Sequence, residues 1–100
     1  MLSDAQQERY ARHLLLDGFD QDRLFAAAVH VEGTEAAAHW AARYLAASGI
    51  GALQIDEPSW REELQQLGPW LHLRECAARI APQGGPQQGA QAAIDFIRAL

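Results

Sequence analysis

Hydrophobic and polar positions along the chain predict helices and strands in turn. The clearest helix is predicted after Thr34, because mostly apolar side chains recur there with the spacing of one helix face. These positions are Ala37, Trp40, Ala41, Tyr44, Leu45 and Ser48. On either side, residues 28–32 and 52–56 alternate with the two-residue period of a strand. A strand, a helix and a second strand are therefore predicted over 28–56.

Two helices are predicted ahead of this unit. Ser3 and Gln6 have the capping-box spacing, and Gly18 ends the apolar stripe that follows them. That stripe consists of Tyr10, Ala11, Leu14 and Leu15. A second short helix is predicted over 20–28, where apolar residues lie among alanines without a helix breaker. The first predicted strand is thus preceded by a helix pair.

The same alternation continues toward the end of the chain. A helix is predicted over 58–67, the Gly68-Pro69 pair ends it, and a strand is predicted over 70–73. Glycine, proline and glutamine then predict a loop over 82–89. A final helix is predicted after this loop. Its apolar face consists of Ala90, Ala93, Ile94 and Ile97.

Strands and helices that alternate with short connections are typical of a parallel sheet with right-handed crossovers. We therefore expect a small three-layer α/β domain with about three parallel strands, an N-terminal helix pair and a C-terminal helix. The 100 residues, 49% hydrophobic and 21% charged, suit one such globular domain over 1–100. A chain of this length builds a single core, which excludes an enzyme with a separate substrate domain.

Composition narrows the classes of partner. All eight basic residues are arginine, and the chain contains neither lysine nor asparagine. A formal net charge of −5 argues against a nucleic-acid partner, because such proteins collect positive charge to displace counterions. No run of about twenty apolar residues is present, so we expect no membrane partner and a cytoplasmic location. A single cysteine, Cys76, can form no internal disulfide, which suits a reducing compartment.

Parts of the sequence are distinctive of a known family. The most specific are Arg9-Tyr10-Ala11-Arg12 and the run YLAASGIG over 44–51. On these stretches, and on the spacing within 61–73, residues 2–57 resemble the adenylating enzymes that activate ubiquitin and sulfur-carrier proteins, the ThiF, MoeB and HesA group. The resemblance implies a Rossmann-like nucleotide fold, a glycine-rich loop after the first strand, and adenylation of a carrier protein's C-terminal glycine.

The loop that the resemblance assigns to nucleotide binding is degraded. Only Gly33 of its glycines remains, and the chain continues with Thr34 and Glu35. Glycines serve there because backbone N–H groups must approach the phosphates closely at a helix N-terminus. Glu32 and Glu35 would also place like charges beside a phosphate. We therefore expect nucleotide binding to be disfavoured both by side-chain bulk and by charge.

Other parts of the family's chemistry are missing as well. Asp56 or Glu57 is left as the acidic residue that the resemblance assigns to the ribose hydroxyls. The family's asparagine, arginine-glutamine pair and phosphate-contacting lysine have no counterpart, and neither do its paired CxxC zinc motifs. Much of the second half of the catalytic domain has no match. The chain is thus interpreted as a shortened, degenerate relative.

Two arginines of the first predicted helix are candidates for a role at a partner's site. The resemblance implies that Arg12 could reach the nucleotide of a neighbouring subunit, with Arg9 beside it. A cationic side chain supplied in this way would stabilise charge that develops on a phosphate. The alternative is that Arg9 and Arg12 form weak surface pairs with Asp4 or other nearby carboxylates.

The remaining reactive and aromatic side chains suggest structural uses. The histidines are His13, His30, His39 and His72. His72 and Cys76 have a spacing that aligns ligands on a helix, but His72 falls in a predicted strand, so no metal site is expected. Trp40 is expected in the core, and Trp60 is expected as an exposed interface anchor.

The shortened sheet has a consequence for assembly. With no strand beside it on one side, the predicted strand 28–32 would expose a bare hydrogen-bonding edge, and such an edge recruits a partner. The half-polar alternation of His30 and Glu32 fits a strand open to solvent or to another protein. We therefore expect a dimer, formed through this edge or through the first and last helices.

Taken together, these observations predict a noncatalytic interaction module. It would be a pseudoenzyme related to carrier-protein activating enzymes, without a cofactor, and its partner would be a second copy or an active relative. The alternative is a minimal adenylyltransferase that binds ATP and Mg²⁺ through unusual contacts and acts on a ubiquitin-like or sulfur-carrier protein.

Overall fold

The computed structural model describes residues 21–100 and contains a parallel α/β fold of Rossmann-like type. Its helices are α1 (Gln21–Ala26), α2 (Ala36–Ser48), α3 (Arg61–Leu67) and α4 (Pro86–Arg98), and a 3₁₀ turn at Pro58–Trp60 precedes α3. Its strands are β1 (Ala28–Val31), β2 (Ala52–Ile55), β3 (His72–Leu73) and β4 (Arg79–Ile80). They form one sheet in the order β3-β2-β1-β4, with every pair parallel. The predicted fold class is confirmed, while the helix predicted over 3–18 lies outside the described residues.

The sheet has one strand more than predicted. Strand β4 pairs with β1, with His30 opposite Arg79 and Val31 opposite Ile80. The backbone N–H groups of His30 and Glu32 donate to carbonyls of this segment at 2.7 and 2.9 Å. The prediction that β1 has a bare outer edge is therefore wrong. Strand β4 has only two residues, which is too short to show the alternation that predicts a strand.

The core lies between one face of the sheet and three helices. Val29, Val31 and Leu53 point to this face and are fully buried. They share one apolar cluster with side chains of α2, α3 and α4, among them Leu45, Leu64 and Ala93. Each fully buried Leu or Val contributes roughly 1.5 to 3 kcal/mol of transfer free energy. This shared core holds the three helices against this face of the sheet.

The other face of the sheet is more polar. His30 and Gln54 lie opposite each other on β1 and β2, and both are half-buried. The connection between β3 and β4 passes over this face, since the Cys76 N–H donates to Gln54 Oε1 at 2.9 Å. Within residues 21–100 this connection contains no helix.

Helices α2 and α4 cross at very close range. A Cβ placed on Gly89 of α4 would lie 2.1 Å from the Ala37 carbonyl oxygen, so only glycine fits at this crossing. Helix α4 also begins earlier than predicted, because Pro86 occupies its first turn, where a missing N–H costs nothing. The loop predicted over 82–89 is therefore limited to the residues before Pro86. The consequence is a short segment, 81–85, held close to the start of α2.

Candidate functional site

The strand order creates an opening at the carboxyl end of the sheet. From β1 the chain passes through α2 to β2 on one side, whereas β4 lies on the other side of β1. Ligands of open α/β sheets bind at the carboxyl ends of the strands, where the strand order changes direction in this way. The cavity in this position has a volume of about 740 Å³. We call it the acidic crevice, and its lining comprises residues 32–35, Ala38, Asp56 and residues 81–84.

The residues that the resemblance assigns to a nucleotide loop come together in this crevice. Gly33, Thr34, Glu35 and Asp56 all line it, although Asp56 follows a different strand. Gly33 has φ +107°, a left-handed conformation that glycine adopts without strain. Its N–H donates to Asp56 Oδ2 at 2.8 Å. The turn after β1 is thus closed by a carboxylate of the same chain.

Asp56 is held from two sides. In addition to the Gly33 N–H, His30 Nε2 donates to Asp56 Oδ1 at 2.6 Å. The Gly33 N–H, followed by the His30 hydrogen bond, lowers the pKa of Asp56 below its ordinary value, because both donors favour the charged carboxylate. Each carboxylate oxygen therefore already has a partner inside the protein. We call this arrangement of His30, Asp56 and Gly33 the Asp56 clamp.

His30 is a site residue that sequence reasoning missed. It lies opposite Gln54 in the register of β1 and β2, so Asp56 follows two positions later on the same face. The alternation did place His30 on the polar face of its strand. What it lacked was the register between the two strands, which a single sequence does not specify.

The crevice carries a concentrated negative charge. Among the described residues that line it, Glu32, Glu35 and Asp56 are acidic and none is basic. Arg79 of β4 lies outside the lining, with its Nη1 3.5 Å from Glu32 Oε1. Both of these side chains are exposed enough for solvent to screen the pair, so it offsets little of the charge. Glu35 sits at the N-cap of α2, and its side chain caps no backbone N–H there.

The second acidic candidate has a different use. Glu57 Oε1 accepts the Ser59 N–H at 3.2 Å and caps the 3₁₀ turn, away from the crevice. Asp56 is therefore the residue of the pair that the fold directs into the site. The two arginine candidates, Arg9 and Arg12, lie outside the described residues.

The histidines and the cysteine occupy separate places. His39 Nε2 contacts Glu63 Oε1 at 2.8 Å, His72 is exposed on β3, and Cys76 lies beside Gln54. Burial raises the pKa of the Cys76 thiol, although the positive charge of Arg74 partly opposes the shift. No group of three or more side chains within residues 21–100 is arranged to hold a metal ion.

The expected uses of two tryptophans are wrong. Trp40, expected in the core, is 41% exposed, and the Arg43 guanidinium lies 4.6 Å from its ring centroid. Trp60, expected as an exposed anchor, packs against the core and stacks on His39 with ring centroids 4.4 Å apart. The 3₁₀ turn rotates Trp60 toward α2, whereas Trp40 lies at the margin of the buried stripe of its helix.

Comparison with known proteins adds no family or relative. Neither the known protein families, nor the curated proteins, nor the solved structures include a match to this chain. No helix within residues 21–100 has the length and apolar character needed to cross a membrane. The resemblance to the adenylating enzymes therefore stays a prediction, and the function must be argued from the geometry of the crevice.

Proposed function

We propose that this domain is a noncatalytic interaction module related to carrier-protein activating enzymes. The observation that carries the proposal is the arrangement of the crevice. Asp56 accepts hydrogen bonds from His30 and Gly33, and none of the lining residues within 21–100 offers an arginine to a phosphate. The crevice therefore has the shape of a ligand site, but its negative charge repels the phosphates of the nucleotide that the adenylating enzymes use. What the domain contributes is then a surface for another protein.

Charge provides the main argument against a nucleotide. Each contact between a phosphate and a carboxylate near a protein surface costs on the order of 1 to 4 kcal/mol. Glu32, Glu35 and Asp56 all border the space in which phosphates would lie. The Gly33 N–H, which could otherwise donate to a phosphate, donates to Asp56 instead. A polyanion entering the crevice would meet repulsion and would find this donor already engaged.

The proposed partner is a second copy of the chain or an active relative. Strand β4 covers the outer side of β1, so the available edges of the described sheet are β3 and β4 themselves. Both strands are only two residues long, which limits what a partner strand could pair with. Contact through helices is therefore favoured over contact through the sheet. In a mixed assembly Arg12 would extend to the nucleotide of the active partner.

One observation favours the alternative, a minimal adenylyltransferase that binds ATP. The crevice measures about 740 Å³ and lies where the strand order reverses, the position at which nucleotides bind in sheets of this type. Magnesium ions could offset part of the carboxylate charge. This alternative requires that binding of ATP displace the Gly33 N–H from Asp56 or leave it unused.

Calorimetric titration with ATP and Mg²⁺ separates the two proposals. We expect no saturable heat from ATP at concentrations up to about 1 mM, because repulsion exceeds what the few remaining donors supply. Adenosine serves as the matched control, since it has the same base and sugar without the phosphates. Saturable micromolar binding of ATP would overturn the noncatalytic proposal and support the alternative.

Assembly is tested on the same preparation. Sedimentation at tens of micromolar should show a species heavier than the 11.0 kDa monomer if the module pairs with itself. If it sediments as a monomer, the partner must be an active relative that co-purifies from the native cell. In that complex Arg12→Ala should lower turnover and leave assembly intact. A monomer that captures no such relative would contradict the proposal.

A further inference from the structure

A second cavity lies on the same edge of the sheet, beyond β2. It has a volume of about 260 Å³ and lies between the ends of β2 and β3 and the start of α3. Its apolar walls are Ile55, Pro58 and Leu73. Two arginines, Arg61 and Arg74, also line it. We call it the arginine pocket.

From this lining we propose that the arginine pocket binds a small organic monocarboxylate with an apolar body. The inference is independent of the noncatalytic function proposed for the acidic crevice, because the two cavities share no lining residue. Planar guanidinium groups match the geometry of a carboxylate and can donate two parallel hydrogen bonds to it. The apolar walls suit the rest of such a molecule.

The charges of the pocket are available to a ligand. Within the described part of the chain, neither Arg61 nor Arg74 forms an ion pair with a carboxylate. Arg74 uses its Nη1 to donate to the Glu75 carbonyl at 2.9 Å, which holds the side chain while its other donors remain open. In a chain with a net charge of −5, these two arginines, unpaired within residues 21–100, give the pocket a positive charge that would attract an anion.

Several contacts fix the walls in place. The Gln54 side chain accepts the Cys76 N–H at 2.9 Å, which ties β2 to the segment after β3. Glu57 caps the 3₁₀ turn that presents Pro58. Helix α3, which carries Arg61, is anchored by the buried Leu64 and by the contact between Glu63 and His39. The backbone around the pocket is held in this way, so it loses little conformational freedom when a ligand binds.

The same lining sets the charge and size of the ligand. Glu75 is also part of it, so the net charge of the lining is +1, from two arginines and one glutamate. A single negative charge balances this, whereas a dianion would leave one charge unpaired against Glu75. The volume is below the roughly 300 to 1,000 Å³ of sites for drug-sized ligands. A carboxylate on a short apolar body is therefore preferred to inorganic phosphate or a nucleotide.

Amide chemical shifts of the ¹⁵N-labelled chain provide the test, with sodium phenylacetate as the probe. We expect saturable shifts confined to residues 54–61 and 73–75, with a Kd on the order of 1 mM, as few contacts to a small molecule imply. Phenylacetamide has the same shape without the charge, and should bind at least about tenfold more weakly. Inorganic phosphate should shift these residues less than phenylacetate does.

Substitution of each arginine tests whether Arg61 and Arg74 supply the positive charge that binds the carboxylate. Arg61→Gln and Arg74→Gln should each weaken phenylacetate binding by about tenfold. Arg98→Gln is the matched control, because Arg98 is an exposed arginine at the end of α4 and outside the pocket. Equal affinity for phenylacetamide, unchanged affinity in both pocket variants, or no saturable shift up to about 20 mM would each overturn the proposal. The comparison with phenylacetamide uses the unaltered chain and so does not depend on any variant folding.

Discussion

Two cavities open on the same edge of one sheet, and their charges are opposite. In the part of the chain that the structure describes, the acidic crevice between β1 and β4 is lined by three carboxylates and no basic side chain, whereas the arginine pocket beside β2 has two arginines and one glutamate. Both follow from parallel strands that end together, so the topology accounts for their positions. Their charges come from loop residues and from Arg61 at the start of α3, none of which the topology constrains. The fold thus specifies where a ligand could bind, and these charged residues decide which ligand is rejected.

The two cavities also differ in what holds them together. The acidic crevice depends on the close crossing of α2 and α4, because Ala38 belongs to one helix and Gly84 lies just ahead of the other. The arginine pocket depends on α3 and on the connection after β3. A change at the α2–α4 crossing should therefore damage the first cavity and spare the second.

The largest expected effect comes from Gly89→Ala. The new Cβ would lie 2.1 Å from the Ala37 carbonyl oxygen, so α4 must move away from α2. We expect the free energy of unfolding to fall by about 2 to 3 kcal/mol, as overpacking in a core does. Urea denaturation measures this loss. Amide shifts should change around 32–38 and 81–84 and remain unchanged around 54–61.

Gln87→Ala is the control for that variant, because Gln87 is exposed on the same helix. It should alter stability by no more than about 0.5 kcal/mol. If Gly89→Ala were as harmless as Gln87→Ala, the close crossing would not hold the acidic crevice, and the contrast between the two cavities would lose its structural basis.

The fold could be predicted from sequence where the periodic segments were long. Helix α2 and strands β1 and β2 follow directly from spacing, and Gly49, with φ +100°, ends α2 as a glycine should. Strand β4 could not be predicted, since it has two residues and is defined by its pairing with β1 rather than by its own pattern. Its omission led to the wrong expectation of an open edge.

The candidate site was predictable only in part, for a related reason. Gly33, Glu35 and Asp56 attract attention through their chemistry and their place after strands. His30 joins them only once the register of β1 and β2 is known. Arg61 and Arg74 belong to different segments and line one pocket because β3 lies beside β2. Contacts across strands were therefore the part that sequence reasoning could not supply.

A smaller effect is expected from Asp56→Ala, which removes the Asp56 clamp. Hydrogen bonds to a charged group contribute about 1.5 to 3 kcal/mol, but the Asp56 side chain is 39% exposed and solvent weakens them. We expect a loss of about 1 kcal/mol at pH 7, measured by urea denaturation. Glu62→Gln, an exposed carboxylate of α3, is the control and should change stability little.

The clamp also predicts a dependence on pH. The pKa of Asp56 is lowered in the folded state, mainly by the Gly33 N–H and then by His30. Its stabilisation is therefore complete above the unfolded pKa of about 4 and is lost as the pH falls through the lower folded value. The stability difference between the unaltered chain and Asp56→Ala should shrink over this acidic range. A difference that stayed constant as the pH fell would show that the carboxylate charge is not what the clamp uses.

The smallest effect is expected at Cys76, which reports on the charge of the arginine pocket. Desolvation raises the pKa of its thiol, and the positive charge of Arg74 lowers it by a smaller amount. Since the thiolate is the reactive form, iodoacetamide should alkylate the folded chain several-fold more slowly than the urea-unfolded chain at about pH 8. Arg74→Gln should slow the reaction further, by about twofold, because the charge that favours the thiolate is gone.

Arg98→Gln is again the control for charge alone and should leave the alkylation rate unchanged. Faster alkylation in Arg74→Gln would mean that Arg74 shields the thiol sterically rather than stabilising its charged form. An unchanged rate would mean that the positive field of the arginine pocket does not extend to Cys76. The unchanged rate would weaken the contrast between the two cavities, because it would show that solvent screens the Arg74 guanidinium as it screens most surface charges.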